Sequence, residues 1–107
     1  MRWVWDEEMN RINRRDHKVS FEIAELVFGD PRAVTLPDPD QDEERWRTIG
    51  SPSRSSDVVL FVVHTWPEEA EAGEEVGRII SARKATRLER KAYEEGTFQT
   101  ADPGPAG

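Results

Sequence analysis

The 107-residue chain contains no cysteine, which excludes disulfide bonds, thiolate metal sites and a thiol nucleophile. No apolar run approaches the roughly 20 residues of a membrane helix, and the first residues lack the apolar segment of a secretion signal. Histidine is scarce too: only His17 and His64 occur, and no His/Asp/Glu cluster has metal-ligand spacing. We therefore expect a cytoplasmic protein that needs no metal and no cofactor.

Negative charge dominates the chain, with 22 acidic residues, 15 basic residues and a net charge of −7. The acids are concentrated in Asp38–Glu44 and Glu68–Glu75, which we expect to be exposed loops. The bases are concentrated in Arg11–Lys18, Arg45–Arg47 and Arg78–Lys91. Residues 78–95 hold six bases and three acids, so this segment is positive within an acidic protein. Because the distribution of charge decides what a surface binds, we expect an acidic partner for this segment.

Local signals predict the order β-α-α-β-β-β-β-α. Asp6 and Ser20 are expected N-caps of two helices that meet at residues 17–20, and Thr86 with Glu89 forms a capping box for the last helix, which ends at Gly96. Residues 58–63 are apolar at every position, which indicates a central strand. The predicted strands are Arg2–Trp5, Ala33–Leu36, Glu44–Gly50, Asp57–Trp66 and Val76–Ala82.

These elements predict an α+β fold: a mostly antiparallel sheet of about five strands with two N-terminal helices and one C-terminal helix. We expect one domain over residues 1–96 and a disordered tail over residues 97–107. The helical period predicts that Met9, Ile12 and Asn13 share the hidden face of the first helix. It also predicts that Leu88 and Ala92 point inward from the last helix.

An ordered set of short segments, spread over about residues 3 to 95, carries a resemblance to a known family. The segments are Trp5-Asp6, Asn13, His17, VSFEIA (19–24), Phe28, Asp30-Pro31, ERWRTIG (44–50), VVHT (62–65), RIISARKA (78–85), Glu89 and Tyr93. In this set the chain resembles the BrnT-type toxins of bacterial type II toxin–antitoxin systems.

The resemblance implies a compact, RelE-like ribonuclease that is toxic when free. It also implies a cognate antitoxin with a ribbon-helix-helix DNA-binding domain, which would hold the toxin inactive in a hetero-oligomer. That complex would repress its own operon, so the toxin would reach operator DNA only through the antitoxin.

Cleavage of RNA without a metal uses the 2′-OH as nucleophile, and it needs proton-transfer groups and cations around the phosphorane. His17 is the candidate acid or base, although it could instead satisfy carbonyl groups at a helix C-terminus. Arg45 and Arg47 share a predicted strand face and can bind one phosphate. Glu44 is an alternative base. We interpret His64, at the end of the central strand, as structural.

Arg78 and Arg83 are five residues apart, so an unbroken strand would direct them to opposite faces. We favour Arg83 as the fourth catalytic residue, after His17, Arg45 and Arg47. The remaining clustered bases are predicted to bind RNA or the antitoxin: Arg11, Arg14, Arg15, Arg78, Arg87, Arg90 and Lys91.

Three positions depart from the pattern of the family, which usually has Lys, Lys and Gly where this chain has Met9, Asp16 and Lys18. The lost lysines weaken the positive field near His17. At Lys18 a positive φ is expected, which costs a non-glycine residue roughly 1 kcal/mol. These departures motivate an alternative function, a catalytically weak or inactive homologue that acts only as an antitoxin-binding module.

Overall fold

The computed structural model of the chain describes residues 1–38, 45–66, 68–69 and 73–97. The predicted α+β order is confirmed, with a 3-10 turn after the second helix and one additional two-residue strand. Glu44 and residues 98–107 of the predicted tail lie outside the described residues. The elements are β1 (Arg2–Val4), α1 (Glu7–His17), α2 (Phe21–Glu25), a 3-10 turn (Leu26–Gly29), β2 (Val34–Pro37), β3 (Trp46–Gly50), β4 (Leu60–His64), β5 (Glu68–Glu69), β6 (Glu75–Lys84) and α3 (Arg87–Glu95).

The strands form one sheet in the order β1-β6-β4-β3-β2. β1 runs parallel to β6, the other neighbours are antiparallel, and β5 pairs with the start of β6. β4 is the central strand of this order, as predicted, and its successive side chains enter two different apolar cores. Among the described residues, no helix is long and apolar enough to cross a membrane.

The two cores lie on opposite faces of the sheet. Leu60 and Val62 of β4 belong to the first core, which also contains Phe21 and Ala24 of α2 and Val27 of the 3-10 turn. Phe61 belongs to the second core, together with Ile49 of β3 and Tyr93 of α3. Burial of apolar area in these cores is the main favourable contribution to folding.

α1 buries asparagines instead of the predicted apolar face. Met9 is 40% exposed and Ile12 is 36% exposed, whereas Asn10 and Asn13 are buried. The prediction was therefore right for Asn13 and wrong for Met9 and Ile12. The reason is that the inner face of α1 meets backbone polar groups, which amide side chains can satisfy and apolar side chains cannot.

Asn13 forms hydrogen bonds with the free edge of β6, beyond the point where β1 ends. Its Nδ2 donates to the carbonyl groups of Ala82 (2.7 Å) and Val19 (2.9 Å), and its Oδ1 accepts from the backbone N–H of Ala82 (3.2 Å). One turn earlier, the Oδ1 of Asn10 accepts from the N–H of Phe21 (2.8 Å) at the start of α2. The two amides therefore attach α1 to the sheet and to α2.

α3 begins at the predicted capping box of Thr86 and Glu89, and Gly96 ends it. Leu88 is 79% exposed, so the prediction that it points inward was wrong, while Ala92 is half-buried. The inward anchor is Tyr93, since its ring enters the second core and its hydroxyl donates to Asp30 at 2.5 Å. Burial and the Asp30 carboxylate raise the pKa of Tyr93 to about 12.

The link between α1 and α2 contains a lysine with left-handed backbone geometry. Lys18 has φ 62°, and its backbone N–H donates to the carbonyl of Arg14. Within the described ranges, it is the only non-glycine residue with positive φ. The expected backbone conformation at this position is therefore confirmed.

Replacing Asn13 by Ala should lower the free energy of unfolding by about 3 kcal/mol, because it leaves the buried N–H of Ala82 and the C=O of Val19 unpaired. Urea denaturation followed by circular dichroism measures the change. The exposed Ile12 provides a control, and Ile12→Ala should cost about 0.5 kcal/mol or less. A cost for Asn13→Ala that equals that of Ile12→Ala would contradict the structural role.

Replacing Lys18 by Gly should raise the free energy of unfolding by about 1 kcal/mol, because glycine adopts positive φ without a steric penalty. Lys18→Ala is the matched control, since it removes the ammonium group and keeps the β-carbon. Thermal denaturation of both variants separates the two contributions. An equal gain in both would mean that the side chain, and not the backbone, is responsible.

Candidate functional site

Two arginines converge on one phenylalanine on the α3 side of the sheet. Phe61 lies on the central strand β4, opposite Arg83 of β6 and Ile49 of β3. The guanidinium carbon of Arg83 lies 3.9 Å from the centroid of the Phe61 ring, and that of Arg47 lies 6.0 Å from it. We call Arg47, Phe61 and Arg83 the arginine cluster. It brings together two of the four residues that were predicted to be catalytic.

The guanidinium of Arg83 is already paired with an acid. Its two terminal nitrogens donate to the Glu89 carboxylate at 2.8 and 3.1 Å, and the same carboxylate accepts from the backbone N–H of Thr86 at 2.8 Å. Burial alone would raise the pKa of Glu89, but the hydrogen bonds from Arg83 and Thr86 outweigh it and hold the pKa below its ordinary value. Glu89 is therefore an ionised carboxylate that positions Arg83.

Arg47 has no such partner. No ion pair joins it to any acid within the described part of the chain, and its Nε is buried without a hydrogen-bond partner. A buried donor that lacks a partner is costly, and an unpaired guanidinium is suited to bidentate binding of a phosphate. The cluster thus combines one neutralised arginine with one that is free to bind an anion.

A register shift in β6 brings Arg78 to the same face. Val63 pairs with Ser81 but His64 pairs with Ile79, so Ile80 is an extra residue in β6. Before the shift, Ile79 faces the first core; after it, Ala82 does. Arg78 and Arg83 therefore both lie on the opposite face, and the expectation that they point to opposite faces was wrong because a bulge reverses the alternation.

His17 and Arg45, the other two residues that were predicted to be catalytic, lie outside the arginine cluster. His17 is the exposed last residue of α1, and its side chain forms no hydrogen bond or ion pair with any described residue. Arg45 is half-buried and immediately precedes β3, two residues before Arg47. No contact described by the structure joins either residue to the arginine cluster.

The other predicted binding residues fall into two groups. Arg11, Arg15 and Arg90 form ion pairs with Glu8, Asp16 and Glu94, which are exposed acids of the same helices. Such pairs contribute little stability, but they reduce the charge available to a partner. In the described part of the chain, four bases of the set have no ion pair: Arg14, Arg78, Arg87 and Lys91.

Sequence reasoning missed Phe61 as the ring between the arginines and recognised Glu89 only as a cap. Neither role has a local signal, since Phe61 is one apolar residue among six in a row and the Arg83–Glu89 pair crosses from a strand to a helix. Across the described ranges, no three His, Asp or Glu side chains are grouped as metal ligands would be.

His64 is a buried neutral imidazole. Its Nδ1 lies 2.7 Å from the carbonyl oxygen of Thr65, which only accepts, so Nδ1 carries the proton. Nε2 then accepts from the Thr48 hydroxyl at 2.7 Å, and Thr48 accepts from Thr35 at 2.8 Å. Burial lowers the pKa of His64 below 6.5, against a smaller opposite effect of the bond to Thr65.

This shift makes stability depend on pH. Above about pH 6.5 the imidazole is neutral in both states; below it, the unfolded chain binds a proton that the folded chain resists, so the free energy of unfolding falls. We expect His64→Gln to remove this fall between about pH 7 and pH 5.5, as measured by urea denaturation. The ionised carboxylates of Asp30 and Glu89, whose pKa values are lowered, also stabilise the folded state, and this stabilisation is lost at more acidic pH. An unchanged slope in His64→Gln would refute the assignment.

Comparison with known proteins identifies a family and a similar solved structure. The family model described as the ribonuclease toxin BrnT of type II toxin–antitoxin systems matches residues 5–89. The 1.1 Å crystal structure of the Brucella abortus ribonuclease toxin BrnT is similar, with a TM-score of 0.55 and 21% identity, and the alignment covers 81% of this chain and 99% of that one. At this identity the structural match shows a shared fold. No curated protein matches the sequence.

Proposed function

The chain belongs to the BrnT family, the ribonuclease toxins of type II toxin–antitoxin systems, and on this basis we propose that it cleaves RNA at the arginine cluster. The observation that carries the proposal is the approach of two guanidinium groups to the Phe61 ring. One of these groups is unpaired, so the sheet face offers an anion a ready partner.

The proposed reaction needs no metal. The 2′-oxygen attacks the adjacent phosphorus, its proton passes to a base, and the bond to the 5′-oxygen breaks as that oxygen gains a proton. The products are a 2′,3′-cyclic phosphate and a 5′-hydroxyl. Arg47 and Arg83 stabilise the charge that grows on the phosphorane oxygens, and Arg45 adds a third cation beside Arg47.

His17 is the proposed proton-transfer residue. The assignment rests on its imidazole chemistry and on its free, exposed position at the end of α1. Bound RNA would have to extend from the arginine cluster past the end of β6 to reach it. Arg78, on the same face as Arg83, lies at the other end of this path and would bind the RNA backbone.

Glu89 competes with the substrate for the guanidinium of Arg83. A phosphate that binds Arg83 must share it with the carboxylate or displace it, and the ring of Phe61 keeps the guanidinium in place meanwhile. This arrangement favours a highly charged ligand such as RNA over a weak anion.

We propose that residues 1–96 form a single toxin domain that acts in the cytoplasm, where messenger RNA is available. A cognate antitoxin with a ribbon-helix-helix domain neutralises the toxin in a hetero-oligomer, and the complex represses its operon through that domain. The toxin itself makes no contact with operator DNA. Arg11, Arg15, Arg87, Arg90 and Lys91 are the peripheral bases for RNA or antitoxin.

A second candidate function is that of an antitoxin-binding module without nuclease activity. It is favoured by the pairing of Arg83 with Glu89 and by the absence, within the described ranges, of any contact between His17 and the arginine cluster. It predicts tight association with the antitoxin and no RNA cleavage by the free chain.

Incubation of the purified chain with end-labelled RNA, with and without EDTA, tests the first function. We expect cleavage in both conditions, and a rate reduced about 100-fold by Arg47→Ala or Arg83→Ala, since each removes a cation from the transition state. His17→Ala should be impaired similarly if it transfers a proton.

Arg54→Ala is the matched control, because Arg54 is an exposed cation on the loop between β3 and β4. It should cleave at the parental rate, and circular dichroism should show that all variants are folded. Full activity in both Arg47→Ala and Arg83→Ala would contradict the site. No cleavage by the parental chain would favour the binding module.

A further inference from the structure

A groove of about 580 Å³ lies on the face opposite the arginine cluster, between the end of α1, α2 and the ends of β4 and β6. Val19 and Leu60 of the first core contribute to its lining. Ile23 and Val58 also line it, although they remain 46% and 37% exposed. An apolar surface of this kind, left open in the isolated chain, is characteristic of a site that binds a partner.

The charge of the groove contrasts with that of the protein. Arg14, Lys18 and Lys84 line it, and among the described residues no acidic or aromatic side chain does, whereas the whole chain carries −7. None of these three bases forms an ion pair with a described acid. A partner that fills the groove therefore needs apolar side chains flanked by carboxylates.

Lys18 adds an independent observation. Its left-handed backbone is costly, yet it carries an ammonium group into the groove, where its Nζ donates only to the carbonyl of Arg15 at 3.2 Å. Strained residues are concentrated at binding sites, where the strain is offset by interaction with a ligand.

We propose that this groove binds the cognate antitoxin through an amphipathic helix, whose apolar face covers Ile23 and Val58 and whose acidic residues pair with Arg14, Lys18 and Lys84. Helix-in-groove recognition uses such a surface. RNA is a poorer match, because the floor is apolar and offers no ring for base stacking. The inference rests on membership of a two-component toxin family and not on the proposed cleavage reaction.

The groove and the arginine cluster lie on opposite faces of the sheet. Lys84 borders the groove, while the adjacent Arg83 belongs to the arginine cluster on the other face. Antitoxin anchored here lies beside the end of β6, so a following segment would need only to pass that edge to cover Arg83. Ile23→Asp, at a position that the proposed reaction does not use, should therefore weaken antitoxin binding and leave cleavage by the free toxin intact.

The test titrates the full chain with the protein encoded by the adjacent antitoxin gene, using isothermal titration calorimetry. Arg14→Glu with Lys84→Glu, and separately Ile23→Asp, should raise Kd about tenfold or more. The effect of the double charge reversal should shrink at high salt. Arg2→Glu with Arg54→Glu is the control of equal charge change, and it should bind as the parent does.

The same variants are assayed for folding by circular dichroism, for RNA cleavage and for oligomeric state by light scattering. Weaker antitoxin binding in both groove variants, with unchanged folding and with unchanged cleavage by Ile23→Asp, supports the proposal. Unchanged Kd in both groove variants overturns it. Loss of cleavage with normal antitoxin binding would assign the groove to RNA and would also overturn the proposal. A self-associated parent that the groove variants dissociate would assign the groove to a second copy of the chain and would overturn it too. If no protein cleaves RNA, the proposed reaction fails while the Kd values still decide this inference.

Discussion

The amide of Asn13 completes the edge of β6 where β1 ends, and the positions of both N-terminal helices depend on it. A sheet edge normally leaves backbone N–H and C=O groups unpaired. Here one side chain satisfies both the N–H and the C=O of Ala82. The same amide group also donates to the carbonyl of Val19, which precedes α2. Asn10 then holds α2 in the same way. Polar contacts at the rim thus complete the first core, whose interior is filled by apolar side chains.

The two faces of the sheet have different chemistry as a result. On one face, α1, α2 and the 3-10 turn cover the first core, where a neutral His64 is satisfied by a chain of hydroxyl groups. On the other, α3 covers only part of the sheet, so the arginine cluster stays accessible beside the second core. The register shift at Ile80 changes which β6 side chains reach each face.

Much of the fold could be predicted because its signals are local. The caps at Asp6, Ser20 and Thr86 are features of neighbouring residues, and they are confirmed. The apolar run predicted the central strand, although Val58 and Val59 precede β4. The inner faces of α1 and α3 were predicted less well. Their anchors are hydrogen-bonding side chains, Asn10, Asn13 and Tyr93, whose partners are distant in sequence, and the helical period of apolar residues does not detect them.

The candidate site shows the same limit. Basic residue types and strand spacing identified Arg47 and Arg83, but the parity rule failed for Arg78 because a bulge inserts one residue. Phe61 and the Arg83–Glu89 pair required the tertiary structure, since they connect β4, β6 and α3. The role of His17 remains a prediction from its chemistry.

Glu89 connects the site to the helix behind it. One carboxylate both accepts the N–H that begins α3 and neutralises Arg83. Thermodynamic reciprocity then requires that any ligand which draws Arg83 away also changes the free energy of opening the first turn of α3. Amide hydrogen exchange at that turn should therefore change when a ligand displaces Glu89 from Arg83.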